Sequence, residues 1–198
     1  TNPRSTSKKP VVSSDHLKAP TLGDLMKKAN PTTINAAVSA KDRAAVMMSG
    51  HDTDAVYWFD DKGFTTFEDR KITPAVEAEN AALTKLVDAG AEALPVPGYC
   101  GAADRPIKVG DFTVGTYRFP LTAGDYKAYA QGPRLDAATG DLAIRMVDEL
   151  GMGKDAVPDV LSVSFSQTDR VGHAFGNEGV EMCIQLAQLD ATLGKLFD

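Results

Sequence analysis

The sequence predicts an α/β layer fold with a mostly parallel sheet. Short apolar runs alternate with helical stretches, as layered α/β domains require. Two of these runs, residues 33–39 and 160–165, each lead within a few residues into a polar segment. The helical stretches carry recognisable start and stop signals.

Residues 1–14 are rich in Ser, Thr, Lys and Pro and read as a loose leader, or as a loop opened by truncation. A first helix is predicted over residues 22–29. Thr21 is its N-cap, Asp24 lies three residues on, and Asn30-Pro31 ends it. Residues 33–39 read as a buried strand, and residues 41–48 as a helix stopped by Ser49-Gly50. Residues 56–59 and 64–67 flank the turn Asp60-Asp61-Lys62-Gly63 and predict a hairpin. Pro74 opens a helix over residues 75–89, closed by Gly90.

Residues 90–133 are punctuated by Gly and Pro, with short strands expected at 107–109 and 112–117. A helix is expected over 136–150, where Leu142, Met146 and Leu150 recur four apart. Residues 160–165 read as a strand, 166–177 as a polar loop, and 178–198 as a helix. Met182, Leu186, Leu189, Leu193 and Phe197 are expected on its apolar face. Residues 1–69 and 134–198 are thus expected to be parts of an α/β core, with 70–133 as an inserted subdomain or long loops.

The net charge of −6 argues against a nucleic-acid partner, whose binding surfaces are usually basic. No apolar run approaches a membrane span in length. Cys100 and Cys183 are too few for a disulfide framework and are expected as free thiols, one bridge being the alternative. The first residue is Thr, so the natural N-terminus is expected upstream, and the compartment is not readable from the start of the chain.

Two segments could carry chemistry. After the strand at 160–165 comes Thr168-Asp169-Arg170-Val171-Gly172-His173. Sites in open α/β sheets gather at carboxyl ends of strands. Asp169 and His173, four apart, could converge on one cation, and carboxylate oxygen and imidazole nitrogen both suit zinc. A surface histidine beside an unrelated aspartate would look the same. The second segment is Ser39-Ala40-Lys41-Asp42-Arg43, where a strand feeds a helix. A helix N-terminus favours anions, and Lys41 and Arg43 add cationic donors suited to phosphate oxygens. A solvated charge cluster is the alternative. His51, His16, Trp58, Met47, Met48 and Met182 read as turn, surface or packing residues. Ser49 and Ser166 have no histidine beside them to activate a nucleophile.

Several blocks together resemble the alkaline phosphatase superfamily. They are residues 19–24 (Ala-Pro-Thr-Leu-Gly-Asp), 37–46 around Lys41-Asp42-Arg43, Gly50-His51, residues 57–60, the run 162–176 with Asp169 and His173, and residues 189–194. The match is to the branch of single-chain bacterial alkaline phosphatases related to type I phosphodiesterases and nucleotide pyrophosphatases. It covers residues 19–69 and 132–198. The Lys-Asp-Arg block resembles sulfatases and phosphopentomutases less.

The resemblance implies part of a three-layer α/β/α domain. It implies two zinc ions in the intact enzyme, with Asp169 and His173 among the ligands of one, and Lys41 and Arg43 contacting the non-bridging phosphoryl oxygens. It implies a phosphate-ester hydrolase exported to the periplasm or secreted. Two fixed cations favour a highly charged phosphoryl group, which tilts the expectation towards a phosphomonoesterase over a phosphodiesterase or nucleotide pyrophosphatase. The family's Thr or Ser nucleophile, its upstream Asp ligand, its Asp-His pair and its final His have no counterpart here; Asp15-His16 lies in the wrong block. The expectation is therefore an internal piece of an enzyme with an incomplete metal site, inactive by itself. A non-catalytic domain on the same scaffold is the alternative. Substrate identity and oligomeric state are not legible.

Overall fold

A computed structural model describes residues 5–6 and 11–198. Much of the leader at 1–14, including Lys8 and Lys9, lies outside the described residues. The chain divides into two compact units. One comprises residues 1–80 and 141–164, the other 81–140 and 165–198.

The first unit opens with α1 (Leu22–Ala29), where Thr21 and Asp24 form a reciprocal capping box. Each cap of this kind stabilises a helix by about 1 kcal/mol. β1 (Asn35–Ser39) follows, then α2 (Asp42–Ser49), β2 (Ala55–Asp60) and β3 (Gly63–Thr65). The α2 C-cap is Gly50, whose φ of 83° favours glycine. Two longer helices, α3 (Pro74–Ala89) and α5 (Arg134–Leu150), are cut by the division between units, and β6 (Val160–Ser164) completes the first unit.

Its sheet runs β3-β2-β1-β6. β1 is parallel to β2 and to β6, and only the β2–β3 hairpin is antiparallel. This is the mixed α/β architecture with a mostly parallel sheet that the alternation predicts. β1 lies between two neighbours and is buried throughout, whereas β6, at an end of the order, is half-buried. Ala37, Ala45, Val46, Val56 and Trp58 form a core between α2 and the sheet, with Val12, Met48 and Phe67 packed against it. Met47, expected as a packing residue, is instead 63 % exposed. Two residues on from Ala45, it falls on the far side of α2 from that buried position.

The second unit holds a 3-10 helix (Gly98–Ala103), the antiparallel pair β4 (Ile107–Val109) and β5 (Phe112–Val114), and the short α4 (Tyr126–Tyr129). It also holds α6 (Gln167–Phe175) and α7 (Val180–Phe197). Its core joins Cys100, Phe119, Val171, Val180, Met182 and Ile184.

Three expectations are corrected here. Cys100 and Cys183 are not free thiols but a disulfide, tying the 3-10 helix to α7 across 83 residues of sequence. Residues 167–175 are a helix, not a loop. The face that α7 buries follows the expected stripe only at Met182: Val180, Glu181, Ile184, Gln185 and Thr192 are buried with it, Leu189 and Leu193 are half-buried, and Leu186 and Phe197 are exposed. The reason lies in the polar partners. The Glu181 carboxylate accepts from the backbone N–H groups of Gly115, Thr116 and Tyr117 at 2.8–3.1 Å. A buried carboxylate is tolerated when it is satisfied in this way.

Candidate active site

β1 and β6 are paired through Ser39 and Ser164 at their carboxyl ends. The Lys-Asp-Arg block follows the carboxyl end of β1, the kind of place where sites collect in open α/β sheets.

In the first unit, Lys41 is the N-cap residue of α2 and makes no side-chain cap bond. Its backbone N–H donates to Ser39 Oγ at 3.1 Å, and its carbonyl accepts from Ala44 and Ala45. Lys41 is half-buried and Arg43 exposed. The Arg43 N–H donates to Asp42 Oδ1 at 2.7 Å. Two cationic side chains thus stand in the first turn of a helix, whose partial positive charge adds to theirs. A cavity of about 380 Å³ opens beside Arg43, walled partly by Val11, Val12, Leu17, Val46 and Met47.

In the second unit, Asp169 and His173 lie one turn apart on α6, so the helix itself brings them together. Asp169 Oδ1 stands 3.3 Å from His173 Nε2, and both side chains are largely exposed. Two donors about 2.0–2.1 Å from a tetrahedral zinc would stand about 3.3 Å apart. The pair therefore fits two corners of a zinc site. Among the described residues, no group of three or more His, Cys, Asp or Glu side chains is placed to hold a metal ion.

The remaining polar candidates are structural. His51 Nε2 lies 2.9 Å from the Leu17 carbonyl, and the His51 N–H donates to Asp24 Oδ1 at 2.8 Å. The buried Ser49 hydroxyl donates to the Val46 carbonyl. His16 is exposed.

Sequence reasoning missed Asp136. This α5 carboxylate is 1 % exposed and meets the start of α6: Oδ1 accepts from Ser166 N at 2.9 Å and Gln167 N at 3.2 Å, and Oδ2 accepts from Gln185 Nε2 at 2.9 Å. Burial pushes its carboxyl up to about 6, against the pull of the Gln167 amide, the Gln185 side chain, the Ser166 amide and the Arg170 charge. The available signal was a charged residue on the face of α5 that carries Leu135, Leu142 and Met146.

A family model described as type I phosphodiesterase / nucleotide pyrophosphatase matches residues 44–198. Alkaline phosphatase PhoK of Sphingomonas sp is 42 % identical over 197 residues, covering 99 % of this chain and 35 % of PhoK. Alkaline phosphatase PhoD of Zymomonas mobilis is 41 % identical over 184 residues, covering 91 % of this chain and 32 % of PhoD. The crystal structure of wild-type alkaline phosphatase PafA superposes with a TM-score of 0.70 at 26 % identity, over 88 % of this chain and 37 % of PafA. The chain spans about a third of the length of the curated relatives it matches. With the mostly parallel sheet shared with PafA, these matches establish that the chain belongs to the type I phosphodiesterase / nucleotide pyrophosphatase family, within the alkaline phosphatase superfamily.

Proposed function

We propose that this chain is part of a zinc-dependent phosphate-ester hydrolase, a phosphomonoesterase by preference, whose nucleophile lies outside the 198 residues. The observation that carries the reading is the 3.3 Å separation of Asp169 Oδ1 and His173 Nε2 on one exposed turn of α6. It is supported by the alkaline phosphatase relatives on which the chain aligns almost end to end.

Asp169 and His173 would hold one zinc ion, together with ligands from outside this chain. Bound zinc would supply Lewis-acid polarisation at the phosphoryl group. Lys41 and Arg43 would bind the non-bridging phosphoryl oxygens, Arg43 through its forked guanidinium. Their two positive charges oppose the charge of a monoester better than that of a diester, because a monoester carries one more negative charge on its non-bridging oxygens. A solved variant of PafA has a lysine and an arginine replaced two positions apart, the spacing of Lys41 and Arg43. The cavity beside Arg43 offers apolar walls to the organic group of the ester.

The disulfide between Cys100 and Cys183 supports an exported enzyme, because such bonds persist in oxidising compartments. No helix among the described residues is long and apolar enough to cross a membrane.

The test is kinetic, on the longer enzyme that contains this chain. Lys41→Ala and Arg43→Ala are each expected to lower kcat/KM for an aryl phosphate monoester by about 100-fold. The loss for the matching diester should be several-fold smaller. Equal losses on both esters would favour the diesterase reading, and unchanged rates would remove both residues from the site.

A further inference from the structure

The helix that carries Asp169 and His173 does not cap itself. Ser166 is the N-cap residue of α6 and makes no side-chain cap bond. Helix starts leave backbone N–H groups without partners inside the helix. Here a residue 30 positions upstream supplies the acceptor: Asp136 takes the Ser166 and Gln167 N–H groups on Oδ1, and Gln167 N also lies 3.2 Å from its Oδ2. Its negative charge sits at the positive end of the α6 dipole.

The same carboxylate is held from the far side by Gln185 Nε2 of α7. Further bonds tie α6 to the stretch before α5. The buried Gln167 Nε2 donates to the Ala130 and Gly132 carbonyls at 2.9 and 3.0 Å, and the Arg170 guanidinium donates to Ala130 O. Val171 is fully buried in the core of this unit. One face of α6 is thus fixed by buried polar bonds, while Asp169 and His173 extend from it with little cover.

We infer that Asp136 is a positioning residue for the Asp169–His173 pair, setting the origin of α6 and so the place of both side chains. This rests on the reading of that pair as metal ligands. A site of this kind needs its donors held to within about half an ångström by the groups behind them. Two long-range backbone bonds to one buried carboxylate meet that need better than a mobile cap on the helix itself. Asp136→Asn keeps the shape but removes the charge and turns an N–H group towards donors.

The experiment uses the whole chain at pH 7.5, as wild type, Asp136→Asn, Gln185→Met and the double variant Asp169→Ala/His173→Ala. Amide hydrogen exchange is read across α6 and α7, and zinc is titrated while the α6 amides are followed by NMR. Asp136→Asn is expected to speed exchange at the start of α6 by at least tenfold, leave the middle of α7 within twofold, and weaken zinc binding about tenfold. Gln185→Met disturbs the same core and loses one long 3.4 Å bond to Thr168 Oγ1, but leaves the bonds from Asp136 to α6, so its zinc affinity should fall less than that of Asp136→Asn, by about threefold at most. Unchanged α6 exchange in Asp136→Asn would overturn the inference, as would equal zinc losses in Asp136→Asn and Gln185→Met. If wild type binds zinc no better than the double alanine variant, the metal reading fails, and the inference fails with it as a statement about ligands even if α6 loosens.

Discussion

At the scale of single residues, hydrogen-bonded carboxylates organise this chain. Asp24 caps α1 through Thr21 and also accepts from the His51 and Asp52 amides at 2.8 Å, joining three turns of chain. Burial alone pushes its carboxyl up, but the amides of Asp52, Thr21 and His51 outweigh it and hold it at about 2. A depressed carboxyl contributes stability above its ordinary value of 3.8 and loses it as the pH falls through about 2. Asp24→Ala should therefore cost about 2–3 kcal/mol in urea unfolding at pH 7, and much less at pH 2. Asp136 behaves in the opposite sense. Its folded value of about 6 lies above the ordinary 3.8, so the stability added by taking up a proton is full below 3.8 and lost as the pH rises through about 6, while the ionised carboxylate above that pH still accepts from the α6 amides. Asp136→Asn should flatten that part of the stability profile, measured by urea unfolding from pH 4 to pH 7. The Asp24 cap was legible because its partners are three residues apart. The Asp136 cap was not, because its partners are 30 and 49 residues away.

At the scale of elements, local signals were read well and long-range ones poorly. α1, α3 and the β2–β3 hairpin carry their own caps, prolines and turns, and they form where those signals stand. α6 was hidden because Thr168, Asp169 and Gly172 are weak helix formers, and Gly172 looked like a loop residue. Packing does not demand the glycine: a Cβ there would meet only Met182 Cε, at an ordinary contact distance of 3.4 Å. The inward face of α7 was misread because hydrophobic periodicity does not register a buried Glu181 or Gln185, whose partners lie far off in sequence. The disulfide had no spacing signal at all, its cysteines being 83 residues apart. Reducing it should lower stability by about 2–5 kcal/mol, read as a drop in Tm of the oxidised chain on adding dithiothreitol. Cys183→Ser should show the same drop and no further response to the reductant.

At the scale of the whole molecule, the candidate residues fall into two units, Lys41 and Arg43 in one, Asp169 and His173 in the other. The order of the blocks along the chain made the family legible before any geometry was known. The metal count follows the same logic. On the proposed reading, two protein ligands would hold zinc weakly, where a catalytic site uses three and an open position. Aryl phosphate hydrolysis by the 198 residues alone is expected to be at background, and to appear only in the longer protein.

The most direct test of the central claim is a zinc titration by calorimetry of this chain beside its Asp169→Ala/His173→Ala variant. The account predicts one weak, saturable site in the wild type and no site in the variant. Identical isotherms from the two proteins would contradict it, and would leave α6 as part of the scaffold with no claim on a metal.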